Sequence, residues 1–198
     1  MQTLKQRPVT AALIIINIIV FVIVELTGGT QNIQHMVNCG AMYVPYIQQK
    51  GEWYRMFTCM FLHFGTMHLM NNMIVLFVLG IRMEPLLGTV RMLIIYLLGG
   101  LGGNGISMLH EQHTGSFAVA AGASGAVFAL MGAMLFALIR GRGRVQDLGT
   151  RQVVIMVILS LYLGFVTQGT DNAAHLGGLV CGFVLAAATC GIRSSDAG

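Results

Sequence analysis

Six long apolar runs, parted by the chain's few charges, leave this sequence one broad choice of fold. Residues 9–24 carry no charged side chain and only two polar ones, Thr10 and Asn17. A helix that crosses a bilayer needs about twenty mainly apolar residues. Runs at residues 9–26, 56–81, 90–109, 122–139, 153–166 and 172–190 meet or approach that length. Charged residues make up 9% of the chain and hydrophobic ones 56%, whereas a soluble domain carries about a quarter charged residues. The pattern predicts an all-α polytopic membrane protein of six transmembrane helices, with one domain covering residues 1–198. The net charge of +4 then bears on topology, and nucleic acid is not an expected partner.

Basic residues set the orientation. With the N-terminus cytoplasmic, Lys5, Arg7, Arg82, Arg91, Arg140, Arg142, Arg144, Arg151 and Arg193 fall inside, nine of the eleven in the chain. Only Lys50 and Arg55 fall outside. Such a bias fixes topology, so both termini are expected in the cytoplasm, with a bacterial inner membrane as the expected location. Lys5 and Arg7 ahead of an apolar run also resemble a signal peptide. No small-residue cleavage site follows, so a retained anchor is the reading. The segment 27–55 mixes glycines with Tyr43, Tyr46, Trp53 and Tyr54, and is expected to lie at the membrane interface.

Neither cysteines nor histidines show metal spacing. Cys181 and Cys190 read as packing residues, and Cys39 and Cys59 as free thiols in preference to a disulfide. His35, His110 and His113 are expected in solvated loops. No metal and no cofactor is expected.

Polar side chains inside the apolar runs are costly and therefore informative. They fall at three places. The second run holds His63, His68, Asn71 and Asn72, the fourth opens on Ser124, and the sixth holds Asn172 and His175. Helices two, four and six all run from the outer face inward. Ser124 lies 16 residues before Arg140, about 24 Å of helix, and His175 lies 18 before Arg193, about 27 Å. Serine and histidine thus share a depth in the outer part of a core about 30 Å thick. His68 lies about 21 Å above Arg82 by the same rise. The spacing of four puts Asn72 on its face.

Glycines give these helices a way to meet. His175, Gly178 and Gly182 share one face of helix six, and Gly125, Ala129 and Gly132 offer small surface on helix four. Small residues at such positions let helices approach closely. A serine hydroxyl beside an imidazole forms a nucleophile with its base. Asn72, His68 and the Ser124 backbone N–H are candidate donors to an oxyanion. Each residue also has a plainer reading, with serine as a helix cap, histidine as a structural side chain, and His68 with Asn72 as interhelical glue.

Taken together, Arg55 before Phe57-Thr58, His63 with His68-xxx-Asn72, Glu84 with Gly88, Gly122-x-Ser124-Gly125 and Ala174-His175-xx-Gly178-xxx-Gly182 resemble the rhomboid family of intramembrane serine proteases. The resemblance runs from the first helix to the sixth. It implies a six-helix rhomboid-like bundle with Ser124 as nucleophile and His175 as general base and acid. His68, Asn72 and the Ser124 backbone would line the oxyanion hole, and Gly122 matches the glycine before the serine. His63 would be structural or water-retaining. Substrates would be membrane-anchored proteins cut in or near a transmembrane helix, with membrane lipids as surroundings. Segment 27–55 would be the embedded first loop, residues 168–171 a cap over the site, and helix five part of substrate entry.

Two departures stand out. Phe128 replaces a tyrosine that packs under the histidine in many members, and Tyr54 separates Trp53 from Arg55. A catalytically inactive, client-binding relative is the alternative function, and it would be expected to lack the serine or the histidine. A transporter would place its polar residues near the midplane with repeated halves, and neither is present.

Overall fold

A computed structural model describes residues 6–141, 144–145, 148–167 and 169–189. The chain forms α1 (Pro8–Gly28), α2 (Ile33–Asn38), α3 (Val44–Lys50), α4 (Arg55–Thr58), a 3-10 turn (Cys59–Phe61), α5 (Gly65–Leu87), α6 (Thr89–Thr114) and α7 (Ser124–Arg140). A two-residue pair, β1 (Arg144–Val145) and β2 (Leu148–Gly149), leads to α8 (Thr150–Val166) and α9 (Asn172–Thr189). The architecture is that of an all-α polytopic membrane protein. By length and composition α1, α5, α6 and α9 can cross a bilayer. The shorter α7 and α8 have 17 residues each, about 26 Å of helix.

Burial separates lipid-facing helices from the centre. Residues 125–134 of α7 are all buried, so this helix is packed around by protein. On α1, by contrast, Ile15, Ile19 and Ile23 are about half exposed. An apolar side chain on that face loses nothing when the surroundings are lipid.

Glycine brings α6, α7 and α9 together at the centre. A Cβ on Gly178 would fall on the Gly125 carbonyl, one on Gly182 on the Ala129 carbonyl, and one on Gly132 on the Leu179 carbonyl. Gly103 of α6 faces the Ala174 carbonyl and Gly178 in the same way, at 2.7 Å and 3.1 Å from such a Cβ. Backbone therefore lies against backbone along the crossing that carries Ser124 and His175.

The start of α1 is held from another helix. Glu84 of α5 accepts from the Val9 N–H at 3.0 Å, the Thr10 N–H at 2.9 Å and the Thr10 hydroxyl at 2.7 Å. These first-turn amides have no partner within their own helix, and the carboxylate also answers the positive end of the dipole. Pro85 lies inside α5, without an N–H to give the Ile81 carbonyl. Arg7 Nε donates to that carbonyl at 3.3 Å. The apolar run was bounded at residue 81, yet α5 runs on through Pro85 to Leu87 and ends at Gly88, with φ +83.

Other boundaries shift for equally local reasons. The run 56–81 is not one helix. Leu62 is extended and Gly65 takes φ +76, which puts His63 in a connection before α5. Helix α6 continues five residues past residue 109, through His110, Glu111 and His113, to a left-handed Gly115. His35 lies on α2. The segment 27–55 forms α2 and α3 joined to α4 by Arg55, which is 4% exposed. Its guanidinium donates to the Val37 carbonyl at 2.6 Å, the Ala41 carbonyl at 2.9 Å and Glu52 at 2.5 Å. Arg55→Ala would leave these acceptors buried, so a loss of about 3 kcal/mol is expected. Thermal unfolding in detergent should show it, and Arg55→Lys should not restore it, because an ammonium lacks the planar fork. Lys5, Arg142, Gln168, Cys190 and Arg193 lie outside the described residues.

Candidate active site

Helix α7 opens on Ser124, and the residue before it, Ala123, makes no side-chain cap. The capping role open to Ser124 is therefore not the one it plays. Its Oγ lies 2.8 Å from His175 Nε2, across 51 residues of chain. The glycine contacts between α7 and α9 are what allow this reach. The Phe128 ring lies one turn below Ser124 and stacks on the imidazole, with centroids 4.3 Å apart and planes at 20°. His175 is 6% exposed.

The approach to Ser124 is shaped by one glycine and three backbone N–H groups, two bonded to backbone carbonyls and one to a histidine ring. The Gly122 N–H donates to the Cys59 carbonyl at 2.9 Å, and the Ala123 N–H to His63 Nε2 at 3.3 Å. The Ala120 N–H is held by the Met42 carbonyl at 2.9 Å. The Ser124 N–H belongs to the first turn, whose amides the helix itself leaves free. Gly122 has φ +152, and a Cβ there would come within 2.9 Å of His68 Cε1 and Nε2. Only a glycine lets the His68 ring close over this side of the serine. His68 meets His63 edge to face at 5.2 Å.

Asn72 sits one turn below His68 and is buried. Its Nδ2 donates to the His68 carbonyl at 3.0 Å, which occupies one of its two N–H donors. Ser124, His175, His68, Asn72 and Gly122 all border one cavity of about 670 Å³. Helix α8 closes its far side with Leu163 and Gly164.

Asp171 is a site residue that the sequence reading placed only in the cap. Its Oδ1 accepts from the Ala174 N–H at 2.9 Å, as an N-cap does, and its Oδ2 accepts from the Ser107 hydroxyl at 2.5 Å. It thereby fixes the start of α9 to α6, one turn before His175. Its spacing, three residues ahead of Ala174, was a legible capping signal. Asn104 was also passed over. Its Nδ2 donates to the Met56 carbonyl at 2.7 Å and to Cys59 Sγ at 3.1 Å, tying α6 to the strand of chain behind Gly122.

Cys39 and Cys59 are both free. Cys39 lies 3.5 Å from His35 Nε2, and partial burial pushes its thiol pKa up. Among the described residues no group of three or more His, Cys, Asp or Glu side chains gathers in a way that would hold a metal ion.

A family profile described as the Rhomboid domain matches residues 50–192, which include every residue placed around this cavity. The chain is 36% identical over 180 residues to Rhomboid protease GluP of Bacillus subtilis (strain 168), covering 90% of this chain and 34% of that protein. It is 39% identical over 139 residues to RHOMBOID-like protein 5 of Arabidopsis thaliana, covering 69% of this chain and 44% of that one. With Putative rhomboid protease YdcA of Bacillus subtilis (strain 168), identity is 31% over 135 residues, covering 68% and 66%. The chain thus spans from 34% to 66% of the length of these relatives. The profile match and the shared identity over most of this chain show that it is an integral, multi-pass membrane protein of the rhomboid family.

Proposed function

We propose that this protein is an intramembrane serine endopeptidase that cleaves membrane-anchored proteins in or near a transmembrane helix. The observation that carries the reading is the 2.8 Å contact between Ser124 Oγ and His175 Nε2 at the wall of the cavity of about 670 Å³. Within hydrogen-bond reach, His175 takes the hydroxyl proton as Ser124 attacks the scissile carbonyl. It then returns that proton to the leaving amine, and water cleaves the acyl-enzyme by the same route. Among the described residues no carboxylate bonds the imidazole, so the pair is read as a dyad.

Charge on the developing oxyanion is met by donors already in place. The Ser124 N–H, the His68 ring and the second N–H of Asn72 serve this role, with Gly122 admitting His68. The N-terminus of α7 adds a favourable dipole. Phe128 holds the imidazole plane by stacking. Removing it in Phe128→Ala should cost about 1 kcal/mol, read as a several-fold drop in kcat with KM little changed. Phe128→Tyr should retain activity, since the stacked face is kept.

A substrate helix must expose a carbonyl that its own hydrogen bonds occupy. Substrates with glycine or proline near the outer face are therefore favoured, entering beside α8. The inner membrane of a bacterium, with both termini cytoplasmic, suits the distribution of basic residues. The test is purified protein in proteoliposomes with a tagged transmembrane substrate. A Gly/Pro-containing span should be cut and a poly-Leu span spared. Equal cutting of both would contradict the unwinding step.

A further inference from the structure

Two polar side chains on the wall of the cavity take no part in the chemistry described so far. On α5, His68, Asn71, Asn72 and Val75 border it, at the i, i+3, i+4 and i+7 spacing of a single helix face. On α8, Ser160, Leu163, Gly164 and Thr167 border it with the same spacing. Asn71 is exposed and Ser160 half-buried, and among the described residues neither side chain has a hydrogen-bond partner. A hydroxyl inside a helix can bond the carbonyl four residues back, as Thr27 and Thr189 do here, and Ser160 does not. An amide and a hydroxyl left open inside an apolar bundle are costly, so each calls for a partner that the free protein does not supply.

Both lie at one depth. His68 packs against Gly122, beside Ser124, and Gly164 packs against His175, with a Cβ on these glycines 2.9 Å and 3.2 Å from the respective rings. Asn71 follows His68 by three residues, and Ser160 precedes Gly164 by four on a helix of opposite sense. Each therefore sits one turn, about 5 Å, deeper than the dyad, a distance that extended chain covers in about one to two residues. A substrate that unwinds to present its scissile carbonyl to Ser124 also frees backbone N–H and C=O groups on both sides of the cut. Inside a bilayer each of these must be bonded. Asparagine offers a carbonyl oxygen and two N–H donors, and serine a donor and lone pairs, which is what an opened backbone lacks. We propose that Asn71 and Ser160 are substrate-binding residues that bond the unwound backbone about one to two residues past the scissile bond, on the side leading deeper into the membrane. Asn71 reaches the chain from α5 and Ser160 from α8. They recognise main chain, so they select a segment able to open and not a particular side chain. The inference rests on the serine endopeptidase reading.

The test measures kcat/KM in proteoliposomes on the Gly/Pro-containing transmembrane substrate, made in an all-amide form and as a series with one backbone amide past the cut replaced by an ester. An ester has no N–H to donate. On the all-amide substrate Asn71→Leu should lower kcat/KM about tenfold and Ser160→Ala about fivefold, as expected when a buried backbone group loses its bond. Asn71→Gln, which keeps both amide functions, should recover part of the loss. One ester should cost wild type a similar factor and cost Asn71→Leu less than about twofold more, because both changes remove the same bond. Thermal unfolding is read alongside, and if Asn71→Leu unfolds early, Ser160→Ala against the same esters carries the test. Wild-type cutting by both variants overturns the proposal. So does faster cutting, which would mean that the pair holds the cavity shut. Losses that multiply with every ester also overturn it, since the groups would then serve water or the fold and not the substrate backbone. Ser124→Ala in the same assay separates the two failures. If it is inactive while Asn71→Leu and Ser160→Ala match wild type, only the backbone contact falls; if it is active, the endopeptidase reading falls too.

Discussion

Ser124→Ala is expected to abolish cleavage, lowering kcat by about 10⁴-fold or more, while leaving the fold unchanged. Removing the nucleophile of a serine–histidine system costs on the order of 10⁶ where it has been measured, and the residual rate comes from the oxyanion donors alone. Alanine is the better helix former, and Ser124 Oγ makes its contact with His175 and caps nothing. Stability should therefore hold. His175→Ala should match the loss in rate, because nucleophile and base act as a unit. Thermal unfolding of each variant in the same detergent separates a chemical loss from an unfolded protein. If Ser124→Ala retained more than about a hundredth of wild-type turnover, another group would have to be the nucleophile, since a working nucleophile and base account for far more than that.

Gly178→Val should also be damaging, by a different route. The added Cβ would land on the Gly125 carbonyl, which is backbone and has no rotamer by which to move aside. Helices α7 and α9 must separate, and with them Ser124 and His175. Overpacking of this kind costs about 1–3 kcal/mol, sometimes more, and a shift of about 1 Å in a reacting pair costs about 10²-fold in rate. Gly182→Val, set against the Ala129 carbonyl, should behave alike. Gly105→Ala is the matched control, since its Cβ meets only Met56 Cε at 3.8 Å. It should unfold no earlier than wild type and turn over normally. A Gly178→Val protein with wild-type melting and turnover would show that close backbone approach is not what joins the dyad.

The closeness of Ser124 to His175 was legible because helix rise is constant. Ser124 and His175 each precede a basic residue by a similar number of turns, and counting from Arg140 and Arg193 sets them level. The glycine face on α9 was readable from spacing alone, and it does meet the α7 backbone. The break before α5 was not readable. No proline or charged residue breaks the chain from Met56 to His68, and the turn depends on Leu62 being extended and Gly65 taking a left-handed φ. The extension of α6 past Leu109 was hidden for the opposite reason, as polar His110 and Glu111 suggest a loop while the backbone still has a helix to finish. Glu111 takes the Ala118 N–H at 3.4 Å, a contact set by tertiary packing. Asp171 showed a capping spacing, but its bond to Ser107 joins residues 64 apart, and no local pattern reports such a pairing.

The most direct test of the Ser124–His175 dyad is covalent labelling with a fluorophosphonate probe, followed by mapping of the modified peptide. The probe reacts with a serine only when a base activates it. Wild type should carry the label on Ser124 and on no other serine, and His175→Ala should lose it while keeping its unfolding temperature. Labelling at a different residue, or Ser124 labelling undiminished in His175→Ala, would contradict the account.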